Sequence, residues 1–227
     1  MILTDRDREL VLDLTLSHAL TRDQVIQLGF FESISRANSR LKSLREAGFV
    51  RRLATPYFSQ TIYAPGRLAI EIVGSHAASL IAKRAESPRF LQHTLSVTNT
   101  RIYLRKRGAT LWRFEPELRI SFQDGLSGGE VRPDGLAISS KAAIAVEVDM
   151  GHVCLTKLSK KLASYAAFRR STALNESWQI NDFNLLFVTT GRRRKTQILK
   201  LCEDARPVNC LVHTFQELKI DAVGGWS

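Results

Sequence analysis

Hydrophobic residues near the start of the chain recur every three or four positions, which is the period of an amphipathic helix. The pattern predicts a first helix that ends near His18 and a short second helix that Thr21 caps and Gly29 ends. A third helix is predicted to begin after Ser33 and to end at Gly48. Its apolar face is expected to carry residues at helical spacing: Ile34, Ala37, Leu41 and Leu44.

Two β-prone runs, 49–53 and 61–64, follow the third helix and are separated by a short loop. Three short helices followed by a two-stranded ribbon are the element order of a winged helix-turn-helix. A Ser-Pro pair at 87–88 has the pattern of a new helix start, so this part of the chain is expected to end just before it. Residues 1–85 are therefore predicted to form a winged helix-turn-helix domain.

The second part, residues 86–227, mixes helical and β-prone patterns. Its third and fourth β-prone runs are expected to form a hairpin that turns at 139–141. A helix, antiparallel strands, a helix and a strand are typical of a mixed α/β layer arrangement, so we expect an α+β protein with a mixed sheet in this domain. The predicted helices cover 88–107, 155–170 and 193–203, and the predicted strands cover 110–114, 117–122, 135–138, 143–148, 183–189 and 210–215.

The excess of basic over acidic residues indicates which class of partner the protein binds. The 227 residues include 33 Lys and Arg against 22 Asp and Glu, so the formal net charge is +11 and a polyanionic partner is favoured. No stretch reaches the roughly 18 to 20 apolar residues that a membrane span needs, and the first residues lack the pattern of a signal peptide. Three isolated cysteines predict neither a disulfide framework nor a zinc site. We therefore expect a cytoplasmic protein that does not bind membranes.

Basic residues concentrate around the third helix, since residues 33–70 contain seven Lys or Arg and a single acid. In a winged helix the third helix enters the major groove and the ribbon can touch phosphates, so double-stranded DNA is the expected partner. The alternative is a solvated helix face in a protein-interaction module. The candidate DNA-binding residues are Arg36, Ser39, Arg40 and Ser43, which share one helix face, and Arg51 and Arg52 on the ribbon.

Carboxylates gather at the open end of the predicted hairpin. Asp134 starts one strand, and Glu147 and Asp149 lie two apart on the next, so these last two point to one face of the sheet. Together with Glu117, Asp134 and Glu147 would supply the oxygen ligands that Mg²⁺ prefers, and Mg²⁺ can activate water for phosphodiester cleavage. The alternative is that 133–135 is an ordinary turn and that the two strand carboxylates are solvated or salt-bridged.

This arrangement resembles the PD-(D/E)XK nuclease superfamily, whose signature is Pro-Asp, a gap, and then an acid, any residue and Lys. The Pro-Asp pair at 133–134 and Glu147 match, and Asp149 occupies the Lys position. The resemblance implies a restriction-endonuclease-like domain whose catalytic residues are these three acids. Because the superfamily's Lys orients or activates the attacking water, catalysis here requires a Lys of the following helix, Lys157 or Lys160, to reach the site.

A set of segments between residues 4 and 190 carries a second resemblance. They are the winged helix, the sequence Tyr63, Ala64, Pro65, Gly66, the series His93, Leu95, Val97, Asn99, and the pattern RPDG to EVDMG followed by Lys157, Lys161 and Tyr165. This set resembles the replication-relaxation family of plasmid and mobile-element proteins. The resemblance implies a cytoplasmic DNA-binding protein that acts at a replication or transfer origin and that carries a nuclease-like domain.

Three hypotheses for the function stay open at this point. In the first, the protein binds double-stranded DNA in replication, relaxation or conjugative transfer. Its nuclease-like domain is inactive and serves to dock a relaxase or a replication initiator or to form a homodimer. In the second, it is a Mg²⁺-dependent DNA endonuclease or nickase. Its metal ligands would be Asp134, Glu147 and Glu117, and its catalytic residues would include Asp149 and Lys157. In the third, it is a ligand-responsive transcriptional repressor.

Overall fold

The computed structural model of the chain describes residues 2–56, 58–81, 87–124, 127–204 and 209–221. The protein is a mixed α+β structure with two compact units, one up to Ile102 and the other from Tyr103 onward. The domain boundary predicted near residue 85 lies outside the described residues. No helix in the described ranges is both long enough and apolar enough to cross a bilayer.

The first unit begins with three helices and a small antiparallel sheet. The predicted helices and ribbon are confirmed, and a two-residue strand joins the ribbon in the order β1-β3-β2. Two single-turn helices and most of a long helix complete the unit. In chain order the elements are α1 (Asp5–Leu16), β1 (Leu20–Thr21), α2 (Arg22–Gln27), α3 (Ile34–Glu46), β2 (Val50–Leu53), β3 (Ile62–Pro65), α4 (Ile70–Val73), α5 (Ala78–Ile81) and α6 (Pro88–Lys106).

Side-chain caps fix the starts of the first three helices. Thr4 and Thr21 each accept a hydrogen bond from the backbone three residues ahead, and the acid or amide at that position bonds back to the cap. Ser33 caps α3 by accepting from the backbone N–H of Arg36. Gly48 follows α3 with a φ of 84°, a left-handed conformation that favours glycine. These local signals explain why the helix bounds follow the sequence closely.

The core of the first unit is built from the apolar faces of α1, α2 and α3, with Leu10, Leu14, Leu41 and Leu44 fully buried. Ile34 was predicted on this apolar face, but it lies in the first turn of α3 and is 55% exposed. The end of β3 packs tightly against the segment after α3. A Cβ on Gly66 would lie 2.2 Å from the carbonyl oxygen of Gly48, so only glycine fits there.

The second unit is built on a five-stranded mixed sheet of order β10-β9-β8-β7-β4. Strands β8, β9 and β10 are parallel, whereas β7 and β4 are antiparallel to their neighbours. The elements are β4 (Leu111–Phe114), α7 (Glu115–Leu118), β5 (Ile120–Asp124), β6 (Ser127–Val131), β7 (Gly135–Ile138), β8 (Ala143–Asp149), α8 (Leu155–Arg170), β9 (Asn184–Thr189), α9 (Arg192–Asp204), β10 (Cys210–Thr214) and α10 (Phe215–Leu218).

One predicted strand of this unit is wrong in part. The run 117–122 was expected to be a single strand, but its first two residues end the helical turn α7, and only residues 120–122 belong to β5. Strand β5 pairs with β6 in a separate two-stranded sheet and does not join the five-stranded one. The glycines of β6 hid this strand from the sequence analysis, because glycine has low β-propensity.

The predicted hairpin of β7 and β8 is confirmed, and it forms the centre of the second unit. Gly135 pairs with Val146, and the turn closes through a hydrogen bond from the backbone N–H of Ser139 to the carbonyl of Ala142. A Cβ on Gly135 would overlap the ring of Trp112, which explains the glycine of the RPDG sequence. Helix α8 packs its apolar side on the sheet, where large side chains fill the core: Leu158, Leu162, Tyr165, Phe168, Trp178, Phe183 and Phe187.

Candidate functional site

Helix α3 exposes one polar side. Ala37, Leu41 and Leu44 face the core, and the residues on the opposite side of the helix, including Ser39 and Lys42, are exposed. The side chain of Arg36 is 68% exposed and pairs with Glu32 across one helical turn. Exposed pairs of this kind are worth little energy, so Arg36 can exchange its partner for another anion. Three of the predicted DNA-binding residues therefore lie on or beside an accessible helix face: Arg36, Ser39 and Ser43.

Arg40 was predicted on the same face, but the structure directs it into the unit. Its guanidinium donates to both carboxylate oxygens of Asp7 in α1, with an Nε to Oδ1 distance of 2.7 Å. Arg40 lies three residues after Ala37 and four before Leu44, which places it beside the buried stripe and not opposite it. Arg40 thus joins α3 to the start of α1, and it is not available as a free DNA contact.

The two predicted arginines of the ribbon differ in their surroundings. Neighbouring residues of a strand point to opposite faces, and accordingly Arg51 is half-buried whereas Arg52 is exposed. The Nε of Arg51 donates to the carbonyl of Pro65 at 3.3 Å. Arg52 is therefore the more accessible cation of the ribbon.

In the second unit, the carboxylates of the hairpin meet as its predicted pairing requires. The backbone N–H of Asp134 donates to the carbonyl of Val146 at 2.9 Å. Oδ2 of Asp134 accepts a hydrogen bond from the backbone N–H of Val148 at 2.7 Å, so the side chain of Asp134 bonds the backbone of the neighbouring strand β8. This register places Asp134 beside Glu147, and the negative charge of Asp134 contributes to raising the pKa of Glu147.

Glu147 is only 5% exposed and is bonded on both oxygens by residues of α8. The ammonium of Lys161 and the hydroxyl of Tyr165 each donate to one carboxylate oxygen. Burial raises the pKa of Glu147 to about 7, and the bond from Lys161 opposes this only in part. Burial lowers the pKa of Lys161, but the Glu147 carboxylate outweighs it and raises the pKa overall. The cluster thus contains a carboxyl group that exchanges protons near neutral pH beside a permanent cation.

Asp149 lies on the same face of β8 but binds a different helix. It is 4% exposed, and its carboxylate accepts from Arg194 of α9 at 2.7 and 3.0 Å and from the hydroxyl of Thr189 at 3.0 Å. Where the nuclease signature has a Lys, this chain therefore has an acid that a cation neutralises within the protein.

Two other predicted site residues do not join these carboxylates. Glu117 is exposed, and its Oε2 accepts from the backbone N–H of Phe114 at 2.7 Å, so it closes the turn of α7. Lys157 is exposed on α8, one turn before Lys161. Across the described ranges, no three His, Cys, Asp or Glu side chains come together as a metal-binding group.

Two cations that the sequence pattern did not assign to the site contact the carboxylates. Lys161 bonds Glu147 where Lys157 or Lys160 was expected, and Arg194 bonds Asp149. The signal for Lys161 was its spacing of four residues from Tyr165, which places both on one face of α8. No sequence signal distinguishes Arg194 within its basic run, since its partner lies 45 residues away.

Comparison with known proteins gives one family match. The model of the replication-relaxation family matches residues 13–183, which is most of the chain. A protein from Vibrio cholerae of known crystal structure is similar with a TM-score of 0.34 and 10% sequence identity. That similarity covers 96% of this chain and 55% of the other, so the chain spans about half the length of that protein. No curated protein gives a significant match.

Proposed function

The chain belongs to the replication-relaxation family, and on this premise we propose that it binds double-stranded DNA in the cytoplasm through its first unit. Family membership indicates a role in the replication or relaxation of plasmid or mobile-element DNA. The observation that carries the DNA-binding proposal is the outward face of α3, where Arg36, Ser39 and Lys42 stand exposed opposite a buried apolar stripe. A helix placed in this way is suited to the major groove.

The order of elements in the first unit supports a winged helix-turn-helix. Helices α1, α2 and α3 precede the ribbon of β2 and β3, and β1 pairs with β3. In this assignment α3 is the recognition helix and the loop between β2 and β3 is the wing. Arg36 and Ser39 would face base edges, and Arg52 would contact a phosphate.

For the second unit we propose a nuclease-like fold that does not cleave DNA and that docks a relaxase, a replication initiator or a second copy of the chain. The support is electrostatic. Both strand carboxylates of the nuclease-like pattern are neutralised inside the protein, Glu147 by Lys161 and Asp149 by Arg194. A carboxylate that is already bonded to a cation is a weaker ligand for Mg²⁺.

One observation favours a second candidate, a Mg²⁺-dependent nickase. Asp134 and Glu147 lie side by side, and Lys161 of the following helix contacts Glu147. Lys161 could therefore take the role of the Lys that the signature has and this chain lacks. Asp134 and Glu147 would be the residues that hold the metal, which would supply an activated water. Lys161 would then have to give up its bond to Glu147.

The DNA-binding proposal is tested by fluorescence anisotropy with the 227-residue chain and labelled duplex DNA. We expect Arg36→Gln and Lys42→Gln each to weaken binding and to reduce the slope of log affinity against log salt by about 1. Arg8→Gln is the matched control, since Arg8 is also an exposed cation but lies on α1. Binding that is equal in all four proteins would reject α3 as the DNA-contacting helix.

The nickase candidate is tested on supercoiled plasmid with Mg²⁺, with Mn²⁺ and with EDTA. A docking domain predicts no nicking under any of these conditions. Metal-dependent nicking that Glu147→Gln abolishes, and that Glu130→Gln on the exposed hairpin of β5 and β6 leaves intact, would establish the nickase instead.

A further inference from the structure

The parallel strands of the second unit bring the starts of two helices to one edge. Because β8, β9 and β10 run in the same direction, α8 and α9 both run back antiparallel to them and begin at the carboxyl edge of the sheet. The two helices pack against each other. Arg194 bonds both Asp149 and the carbonyl of Val153, which ties the loop before α8 to the first turn of α9.

Charge at this edge is unbalanced. Four exposed cations lie in the first two turns of these helices, and none of them forms an ion pair with another residue of the described ranges. Helix α8 contains no acid, and the first acid of α9 is Glu203 at its far end. The acids of β8 do not balance the charge of these four cations, because Glu147 and Asp149 are buried and already paired with Lys161 and Arg194. We call this set the basic edge: Lys157, Lys160, Arg192 and Arg193.

We propose that the basic edge binds the phosphate backbone of duplex DNA and forms a second DNA-contacting surface, separate from α3. This inference rests on the proposed function, because it assumes that the protein binds duplex DNA. It adds that the second unit itself touches the duplex, whether or not that unit cleaves it.

Three properties of the basic edge fit phosphate. Arginine and lysine are the side chains that contact DNA phosphates, and the contact carries no sequence preference. The helix dipole disfavours cations in the first turn of a helix. An anion bound beside Arg192 and Arg193 would neutralise these cations and would itself interact favourably with the dipole. A Cβ on Gly191 would meet nothing within 4 Å, so the backbone that leads into α9 is open to a close approach.

A membrane surface fits the same residues less well. Interfacial helices combine cations with a broad apolar face that enters the lipid. Helix α9 turns Ile198 into the core and shows no large exposed apolar side chain, and Val153 is the one such residue on the described loop between β8 and α8. Phosphates that are fixed along a duplex are therefore the favoured anion.

The test compares two double variants of equal charge in the 227-residue chain. Arg192→Gln with Arg193→Gln removes half of the basic edge. Lys141→Gln with Arg170→Gln removes two cations at the opposite edge, where the hairpin turns and α8 ends. Both are titrated against the same duplex from low to moderate salt, and thermal unfolding confirms that each variant is folded.

We expect the basic-edge variant to lower the slope of log affinity against log salt by about 2, since each phosphate contact contributes about 0.9. At 0.1 M salt its affinity should fall by roughly tenfold or more, equally for specific and unrelated duplexes. The control variant should change the slope by less than half as much.

Three results would overturn the proposal. If the basic-edge variant binds like the wild type while Arg36→Gln weakens binding, DNA binding by α3 stands and the second surface is rejected. If the wild type binds no duplex at all, the proposed function fails and this inference with it. If the variant loses binding to anionic phospholipid vesicles but keeps its DNA affinity, the edge serves a membrane.

Discussion

Asp7 in the first unit and Glu147 in the second are both buried carboxylates, with 1% and 5% of their surface exposed. Each is bonded to a cation from a later helix, Arg40 and Lys161 respectively. Their acidities nevertheless move in opposite directions. The pKa of Asp7 lies below its usual value, whereas the pKa of Glu147 is raised to about 7. The same kind of ion pair therefore stabilises a permanent charge in one unit and a proton-exchanging group in the other.

The depth of burial and the number of donors together explain the difference. Burial raises the pKa of both groups, but Asp7 accepts four hydrogen bonds, two from Arg40 and two from the backbone and hydroxyl of Thr4. Glu147 accepts one bond from Lys161 and one from Tyr165, and it has the negative charge of Asp134 nearby. Donors that bond the charged form favour ionisation. Four of them outweigh the smaller burial penalty of Asp7, whereas two do not outweigh the larger penalty of Glu147.

The largest effect is expected from removing the cations. Arg40→Ala leaves an ionised Asp7 buried without its partner, so we expect the free energy of unfolding to fall by about 3 to 5 kcal/mol. Lys161→Ala should cost less, roughly 1 to 2 kcal/mol at pH 6, because Glu147, with a pKa of about 7, already holds a proton at that pH and leaves no buried charge when Lys161 is gone. Urea unfolding followed by circular dichroism measures both.

Arg36→Ala is the control for these two variants, since it removes an exposed pair with Glu32 and should change stability by less than about 1 kcal/mol. Equal losses for Arg40→Ala and Lys161→Ala at pH 6 would contradict the distinction between the two sites.

Arg40 also shows where sequence-based prediction ends in the first unit. The helix starts at Thr4, Thr21 and Ser33 were predictable because a cap and its partner lie three residues apart. The inward position of Arg40 was not predictable, because its partner Asp7 lies 33 residues away in the sequence. A helical period identifies a face, but only the packing of α3 on α1 decides which residues at its border turn inward.

In the second unit, too, the sequence predicts the local arrangement of the carboxylates but not their distant partners. The hairpin register, and with it the meeting of Asp134 and Glu147, followed from alternation and a short turn. The cations that neutralise Glu147 and Asp149 could not be predicted in the same way. Both come from helices that return over the sheet, so the placement of Lys161 and Arg194 depends on tertiary packing.

The next effect in size is a dependence of stability on pH. The carboxyl group of Glu147 ionises near 4.5 in the unfolded chain and near 7 in the folded one, so the folded state holds an extra proton between these values. Its contribution is therefore full below about pH 4.5 and is lost as the pH rises through 7, by on the order of 3 kcal/mol in total. The difference in unfolding free energy between wild type and Glu147→Gln should fall steadily from pH 5 to pH 8.

Asp7→Asn supplies the contrast for this measurement. Since the folded pKa of Asp7 is lowered, its contribution is present above the unfolded value near 3.8 and is lost only as the pH falls through the lower folded value. The difference between wild type and Asp7→Asn should thus stay constant from pH 5 to pH 8. A slope of equal size for both residues would show that the two carboxylates do not differ in acidity.

The smallest effect concerns one hydroxyl group. Tyr165→Phe removes a donor from Glu147 without changing the packing of the ring, so at pH 8 we expect a loss of about 1 to 2 kcal/mol in unfolding free energy. The same change should move the pH midpoint of Glu147 upward, because a bond to its charged form is lost. The control is Tyr63→Phe, which should move neither quantity, because Tyr63 is half-buried and its hydroxyl bonds no other residue of the described ranges. An unchanged midpoint in Tyr165→Phe would mean that donor number does not set the acidity of Glu147, and burial alone would then have to separate it from Asp7.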